Sequence, residues 1–246
     1  IVVACLTRER LTMSIPCFVV DAFTDRPFAG NPAAVCLPPE PLTDAQMQQL
    51  AAEFNLSETS FLQPLEAGHW QLRWFTPTVE VNLCGHATLA AAHVLWQECG
   101  VSANVLRFNT HSGELQARRD GQRILLDFPA QLLQPLAMDI PWQTQLGCEP
   151  KACFQADEDV LVELADEAQV RALTPDLIAL ARLPLRGLIV TAASTEATAD
   201  FVSRFFAPAV GIDEDPVTGS AHCALAPYWA ERLGRCQLTG FQASAR

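Results

Sequence analysis

The sequence predicts an α+β fold built from two similar domains. An internal repeat is the first reason. The segment RWFTPTVEVNLCGHATLAAAHVLW from Arg73 is echoed by RFFAPAVGIDEDPVTGSAHCALAPYW from Arg204. Arg73, Phe75, Pro77 and Val79 match Arg204, Phe206, Pro208 and Val210 at a constant offset of 131. After a short insertion, Gly85 and Ala87 match Gly219 and Ala221 at an offset of 134. Each copy reads as strand, Pro-containing loop, glycine, small residue and alanine-rich helix, so one unit occurs twice. Patterning is the second reason: short β-rich runs recur in both halves, and helical periodicity is confined to a few stretches. Size is the third, because 246 residues that are 50% hydrophobic can bury one large core or two modest ones.

Each element follows from local chemistry. Residues 1–12 include Arg8, Glu9 and Arg10 and lack the apolar core of a signal peptide. Met13 reads as the natural start, with 1–12 as non-native or upstream sequence. CFVVDAF from Cys17 is a strand, TDRPFAGNP is dense in turn residues, and AAVCL is a second short strand. LTDAQMQQLAAEF places Met47, Leu50, Ala51 and Phe54 on one helical face behind a Thr43 or Asp44 cap. NLSETSFL leads back into a strand, with Glu58 in its polar link. HWQLRWF alternates, and a hairpin at Asp120-Gly121 joins ELQARR to RILLDF. Prolines and a loss of periodicity in FPAQLLQPLAMDIPW mark the domain boundary, giving 13–128 and 129–246. Strands follow near 152–164 and 185–193 and through DFVSRFF, before the second alanine-rich helix.

Composition narrows the function. A formal net charge of −12 argues against nucleic acid or an anionic membrane as partner. No run approaches the roughly 18 uninterrupted apolar residues of a membrane span. The nine cysteines are odd in number, scattered and free of any Cys-x-x-Cys pair. Cys17, Cys36 and Cys223 sit in apolar runs, where a free cysteine acts as a small hydrophobe. These features point to a reducing, cytoplasmic setting and to no structural zinc. Dinucleotide, Walker, zincin and nucleophile-elbow motifs are all missing from the sequence.

The acids Asp213, Glu214 and Asp215 crowd the approach to the second alanine-rich helix. Ordinary capping needs only one of them. If the two domains face each other through a pseudo-twofold axis, both glycine-led helix N-termini point into one cleft. Their free N–H groups and positive dipole ends then converge on a carboxylate or similar anion. Gly85 and Gly219 permit close backbone approach, and Cys84, His86, Asp215 and Ser220 surround the ligand. Bland readings stand beside these: a capping Asp215, an N-cap Ser220, a structural His86, an Asx-turn Asn31 and a solvated loop Glu58.

Several segments resemble the phenazine-biosynthesis PhzF-like family of isomerases, which shares the diaminopimelate epimerase fold. They are VDAFTDRPFAGNPAAVC, NLSETSFL, RWFTPTVEVNLCGHATLAAA, SGELQARR and FAPAVGIDEDPVTGSAH. The resemblance implies two pseudo-symmetric domains, each a barrel-like sheet around a central helix, with the active site between them. It implies cofactor-independent proton transfer on a small anionic metabolite, and a homodimer. It assigns the catalytic acid/base to Glu58 and substrate contacts to Asn31, Gly85, His86, Asp215, Gly219 and Ser220, with no metal. Cys84 is a further candidate, since the diaminopimelate branch uses paired thiols and a helix N-terminus favours thiolate. The repeat-equivalent stretch reads Asp215-Pro216, which disfavours a two-thiol mechanism. His86 is expected to be neutral, because the helix dipole opposes a positive charge. Relatives continue beyond the point where this sequence stops, so the second domain is expected to lack its last strands. Two other functions stay open: an amino-acid epimerase or racemase, and a non-catalytic metabolite-binding or interaction protein.

Overall fold

A computed structural model describes residues 14–26 and 28–244; the reading of residues 1–12 lies outside them. The first half runs β1 (Cys17–Ala22), β2 (Asn31–Cys36), α1 (Asp44–Phe54), β3 (Glu58–Glu66), β4 (His69–Phe75), β5 (Glu80–Val81), α2 (Gly85–Gln97), β6 (Val105–Thr110), β7 (Gly113–Asp120) and β8 (Arg123–Asp127). The second runs β9 (Gln134–Pro135), α3 (Trp142–Leu146), β10 (Ala152–Ala156), β11 (Asp159–Glu163), α4 (Glu167–Ala172), α5 (Leu177–Leu180), β12 (Gly187–Ala193), β13 (Phe201–Ala207), β14 (Ile212–Asp215), α6 (Ala221–Leu233) and β15 (Gly240–Gln242).

Two sheets result, ordered β1-β2-β3-β4-β6-β7-β8 with β5 on β4, and β14-β13-β12-β11-β10-β9 with β15 on β13. Strands β1 to β6 correspond one for one with β10 to β15. In both copies the first pair is antiparallel and the second parallel. The third and fourth pairs are antiparallel in both, and the sixth strand joins the fourth in parallel. The sequence repeat is thus a repeat of topology.

The motif residues are explained by clamps that recur in each copy. Arg73 Nε and Nη2 donate to Glu80 at 2.7 and 2.6 Å, and the guanidinium lies 5.2 Å from the Phe75 ring centre. Arg204 does the same with Glu214 at 2.7 and 2.8 Å, over Phe206 at 4.8 Å. The remaining nitrogen ties each arginine to a crossover helix: Asp44 of α1 at 2.7 Å, or the Leu173 carbonyl after α4 at 2.6 Å. Bidentate, partly buried pairs of this type fix geometry as well as energy.

Alanines let the sheets close tightly on their central helices. Ala87, Ala90, Ala91 and Ala92 of α2 are fully buried against Leu62, Leu72, Trp74 and Phe108. In α6, Ala221, Ala224 and Leu225 pack with Leu161, Ile189, Phe201 and Phe205. Each large buried side chain here contributes roughly 1.5–3 kcal/mol.

The parallel crossovers position the chemistry. Helix α1 starts with a capping box between Thr43 and Gln46 and ends at Asn55 in the left-handed region, φ 51°. The chain then enters β3 directly, so Glu58 is the first residue of a strand and not part of a loop. Because β2 and β3 run parallel, their first residues, Asn31 and Glu58, share one sheet end. Asp159 and Gly187 open β11 and β12 in the same way in the second sheet.

Three expectations require correction. The second strand begins two residues early, at Asn31. Asp213, Glu214 and Asp215 lie in β14, several residues before α6, so none caps that helix. Ser220 occupies the N-cap position without a side-chain capping bond, which leaves its hydroxyl free of that duty.

Candidate active site

The two helix N-termini meet. A Cβ added to Gly85 would lie 2.7 Å from Gly219 Cα, and one on Gly219 would lie 2.7 Å from Gly85 Cα. Real Cβ atoms do not approach that closely, so the contact requires glycine on both sides. Around it is a cavity of about 40 Å³. Glu58, Cys84, Gly85, His86, Asp215, Gly219 and Ser220 line its wall, and so does Arg186.

Glu58 is 13% exposed, with Oε2 sealed from solvent. Burial pushes its pKa up to about 8; Asp215 pushes the same way, while Arg186 and the Cys84 thiol partly offset both. Its Oε2 lies 3.3 Å from His86 Nε2, close enough for an ion pair if the imidazole were charged. It is not charged, because burial drives the His86 pKa down to about 3. The expected neutral imidazole therefore stands beside a carboxyl that is protonated at neutral pH.

Asp215 is held at both oxygens. Asn31 Nδ2 donates to Oδ1 at 2.7 Å and Thr218 Oγ1 donates to Oδ2 at 2.5 Å. Burial raises its pKa to about 6, with those two bonds and Arg186 opposing. Asn31 is fully buried behind the cavity wall and is absent from the lining. Its Nδ2 also serves the Val217 carbonyl at 3.0 Å and faces His86 Nδ1 at 3.2 Å. Both amide hydrogens of Asn31 are thus engaged, and its buried Oδ1 has no partner among the described residues.

Cys84 departs from the thiolate expected at a helix N-terminus. Burial raises its pKa well above normal, Glu58 adds to the rise, and the backbone bond near Ala87 offsets only part of it. The cross-domain meeting point also revises its counterpart. With Gly85 facing Gly219, Cys84 corresponds to Thr218, not to the Asp215-Pro216 pair. Glu58, Cys84 and His86 offer ligand atoms within 4.8 Å of one another, a spacing that could bracket a cation. Their protonation opposes that use. The thiol keeps its proton, and burial keeps the Glu58 carboxyl protonated at neutral pH.

Three residues were not anticipated. Among the described residues Arg186 alone brings a guanidinium to the cavity; it is paired with Asp159 at 2.9 and 2.5 Å and lies 5.7 Å from the Phe205 ring centre. Thr218 orients Asp215. Gln242 of β15 clamps the same loop, accepting from Thr218 N at 2.7 Å and donating to the Asp215 carbonyl at 2.7 Å. Extending the 134-residue offset to Cys84 would have found Thr218, and to Glu80 would have found Glu214. Arg186 and Gln242 carry no sequence signal, since both reach the cavity only through sheet topology. His222 is structural: it is buried in α6 with Nδ1 2.8 Å from the Thr218 carbonyl.

Comparison with known proteins gives a consistent answer. A family model described as phenazine biosynthesis-like protein matches residues 20–246. An uncharacterized isomerase of Pseudomonas aeruginosa is 52% identical over 227 residues, 92% of this chain and 86% of that protein. The crystal structure of a PhzF-family protein from Enterococcus faecalis superposes with a TM-score of 0.86 at 43% identity, covering 94% of this chain and 88% of that one. A probable proline racemase from Agrobacterium radiobacter shares the fold, with a TM-score of 0.62 at 11% identity over 94% and 82% of the two chains. The chain therefore belongs to the phenazine biosynthesis-like, PhzF family.

Proposed function

We propose that this protein is a cofactor-independent isomerase that moves a proton between two positions of a small carboxylate-bearing metabolite, with Glu58 as the acid/base. The observation that carries this reading is the buried Glu58 carboxyl. Its pKa of about 8 lets one group both take and return a proton near neutral pH. Gly85 and Gly219 let the helix N-termini hold the substrate carboxylate, with Ser220 as a further donor. Arg186, which lines the same cavity, would meet a second acceptor on the substrate. Neutral His86 stands 3.3 Å from Glu58 Oε2 and, in the tautomer protonated at Nε2, would steady the carboxylate as it ionises. Charge developing on the substrate is thus met by fixed dipoles in a water-poor site.

A two-base epimerase is the second reading, and the pseudo-twofold weighs against it. Glu58 opens β3, while its counterpart β12 opens with Gly187. Cys84 is matched by Thr218, and Asp215 is held at both oxygens by Asn31 and Thr218. No free second base faces Glu58 at either symmetric position. We further propose that the active species is a homodimer, as the resemblance to the family implies; sedimentation at micromolar concentration checks this. Among the described residues, no helix is long and apolar enough to cross a membrane.

The test is a panel of amino-acid and cyclic carboxylates incubated in heavy water with wild type and Glu58→Gln. A proton shift places label at a carbon other than the one deprotonated, and Glu58→Gln slows turnover by roughly 10²–10⁴-fold with little change in affinity. Label confined to an inverted carbon would instead establish epimerisation. Full turnover by Glu58→Gln would remove the assignment, and tight binding without turnover of any panel member would favour the non-catalytic reading.

A further inference from the structure

Away from the cleft, two thiols face each other across the edge of the first sheet. Cys17 opens β1, the edge strand, and is exposed; Cys36 closes β2 and is fully buried. They are direct partners in the antiparallel register. The Leu37 N–H donates to the Pro16 carbonyl at 2.9 Å, which makes the adjacent Cys17–Cys36 position a non-hydrogen-bonded pair. Such pairs hold their Cα atoms about 4.5 Å apart, inside the roughly 4.4–6.8 Å window that a disulfide spans. The two sulfurs already approach to 3.1 Å. All eight cysteines among the described residues are free, and no other cysteine pair among them shows a sulfur–sulfur contact.

We propose that Cys17 and Cys36 form a redox-active dithiol that closes to a cross-strand disulfide under peroxide without rearrangement of the fold. The exposed thiol reacts first. Cys17 thiolate attacks hydrogen peroxide, giving a sulfenic acid and hydroxide; Cys36 thiol then attacks the sulfenic sulfur, forming the disulfide and releasing water. Two electrons leave the thiol pair and reduce one peroxide. Cys36 is shielded from the oxidant but adjacent to its partner, so it serves as the resolving thiol. The bond would pin the edge strand β1 to β2, the strand whose opposite end carries Asn31 against His86 and Asp215. A disulfide closing this loop raises the melting temperature by roughly 5–10 °C through its constraint on the unfolded chain.

The experiment uses the full-length, folded, reduced protein, treated with hydrogen peroxide, alkylated and digested. Trypsin releases residues 11–73 as one peptide, since Arg26 precedes a proline, and its only cysteines are Cys17 and Cys36. The expected peptide is two hydrogens lighter than the reduced form, unalkylated, and restored by dithiothreitol. A further cut before Asp21 should leave two fragments joined. Cys17→Ser and Cys36→Ser should each abolish the product, whereas Cys84→Ser should not. The melting temperature should rise on oxidation in wild type and Cys84→Ser alone. Independent alkylation of both thiols after oxidation would overturn the proposal, as would Cys17 sulfinic acid beside reduced Cys36, or a Cys17-linked dimer as the main product.

Discussion

Burial moves Glu58 far from the behaviour of an ordinary glutamate. Its folded pKa of about 8 exceeds the 4.5 of an exposed glutamate, so the folded state holds its proton over a range where the unfolded chain has lost it. Stability from this group is therefore present below pH about 4.5 and is lost as pH rises to about 8. His86 acts on the acid side. Its folded pKa of about 3 lies below the unfolded 6.5, so stability falls as pH drops through that window. Replacing Glu58 with Gln removes the alkaline loss. The variant should melt roughly 5–10 °C above wild type at pH 8–9, with the gap closing toward pH 5. For a substrate that turns over, kcat/KM of the wild type should rise with pH through about 8, as the base ionises. Paired thermal melts and rate profiles check both. A gap that stayed constant with pH would mean Glu58 is ionised in the folded protein throughout. Spacing alone placed Glu58 only in a polar link, and the family resemblance marked it as the acid/base, because the Asp215 and Arg186 charges that act on it lie far off in the chain.

At the scale of elements, local chemistry was legible and long-range chemistry was not. The Thr43 cap, the Asp120-Gly121 hairpin and the starts of both alanine-rich helices follow from nearby residues, and they stand where their patterns place them. The capping alternative for Asp213 to Asp215 fails because a strand pairing, β14 on β13, outweighs their preference for a helix start. The contacts of Asn31 were not legible because they lie 55, 184 and 186 residues away. The glycine contact is the sharpest element-scale claim. Gly85→Ala inserts a methyl 2.7 Å from Gly219 Cα, against backbone that cannot rotate away. Overpacking of this kind costs roughly 1–3 kcal/mol. The helix ends must also separate, so carboxylate binding should weaken more than stability does. Gly219→Ala should behave alike, and the double variant should cost less than the two singles added, because one separation relieves both clashes. Denaturant unfolding with ligand titration tests this. Strict additivity would show that the two glycines are not in contact.

The whole molecule raises a question of access. A cavity of about 40 Å³ holds two or three waters, whereas small-metabolite sites occupy roughly 300–1,000 Å³. If a carboxylate binds between Gly85 and Gly219, as proposed, the two helix ends must separate to admit it. The stretch between β8 and β9, residues 128–133, is the direct covalent connection between the two sheets. Its one proline, Pro129, and its lack of strand pairing suit a hinge, with the Gln131 N–H bond to the Cys223 carbonyl at 2.9 Å as its tether. Opening exposes both helix N-termini together, since each is the other's lid. Hydrogen exchange should then report one shared opening: amides of residues 85–88 and 219–222 should exchange at matching rates in the free protein. A competitive carboxylate from the substrate panel, at about 100 times its Kd, adds about 2.7 kcal/mol to the bound state. It should slow exchange at both segments alike, by up to about 100-fold where this opening controls exchange. Protection of one segment alone would place the ligand within a single domain. That outcome would overturn the proposal that Glu58 and Asp215 serve one ligand.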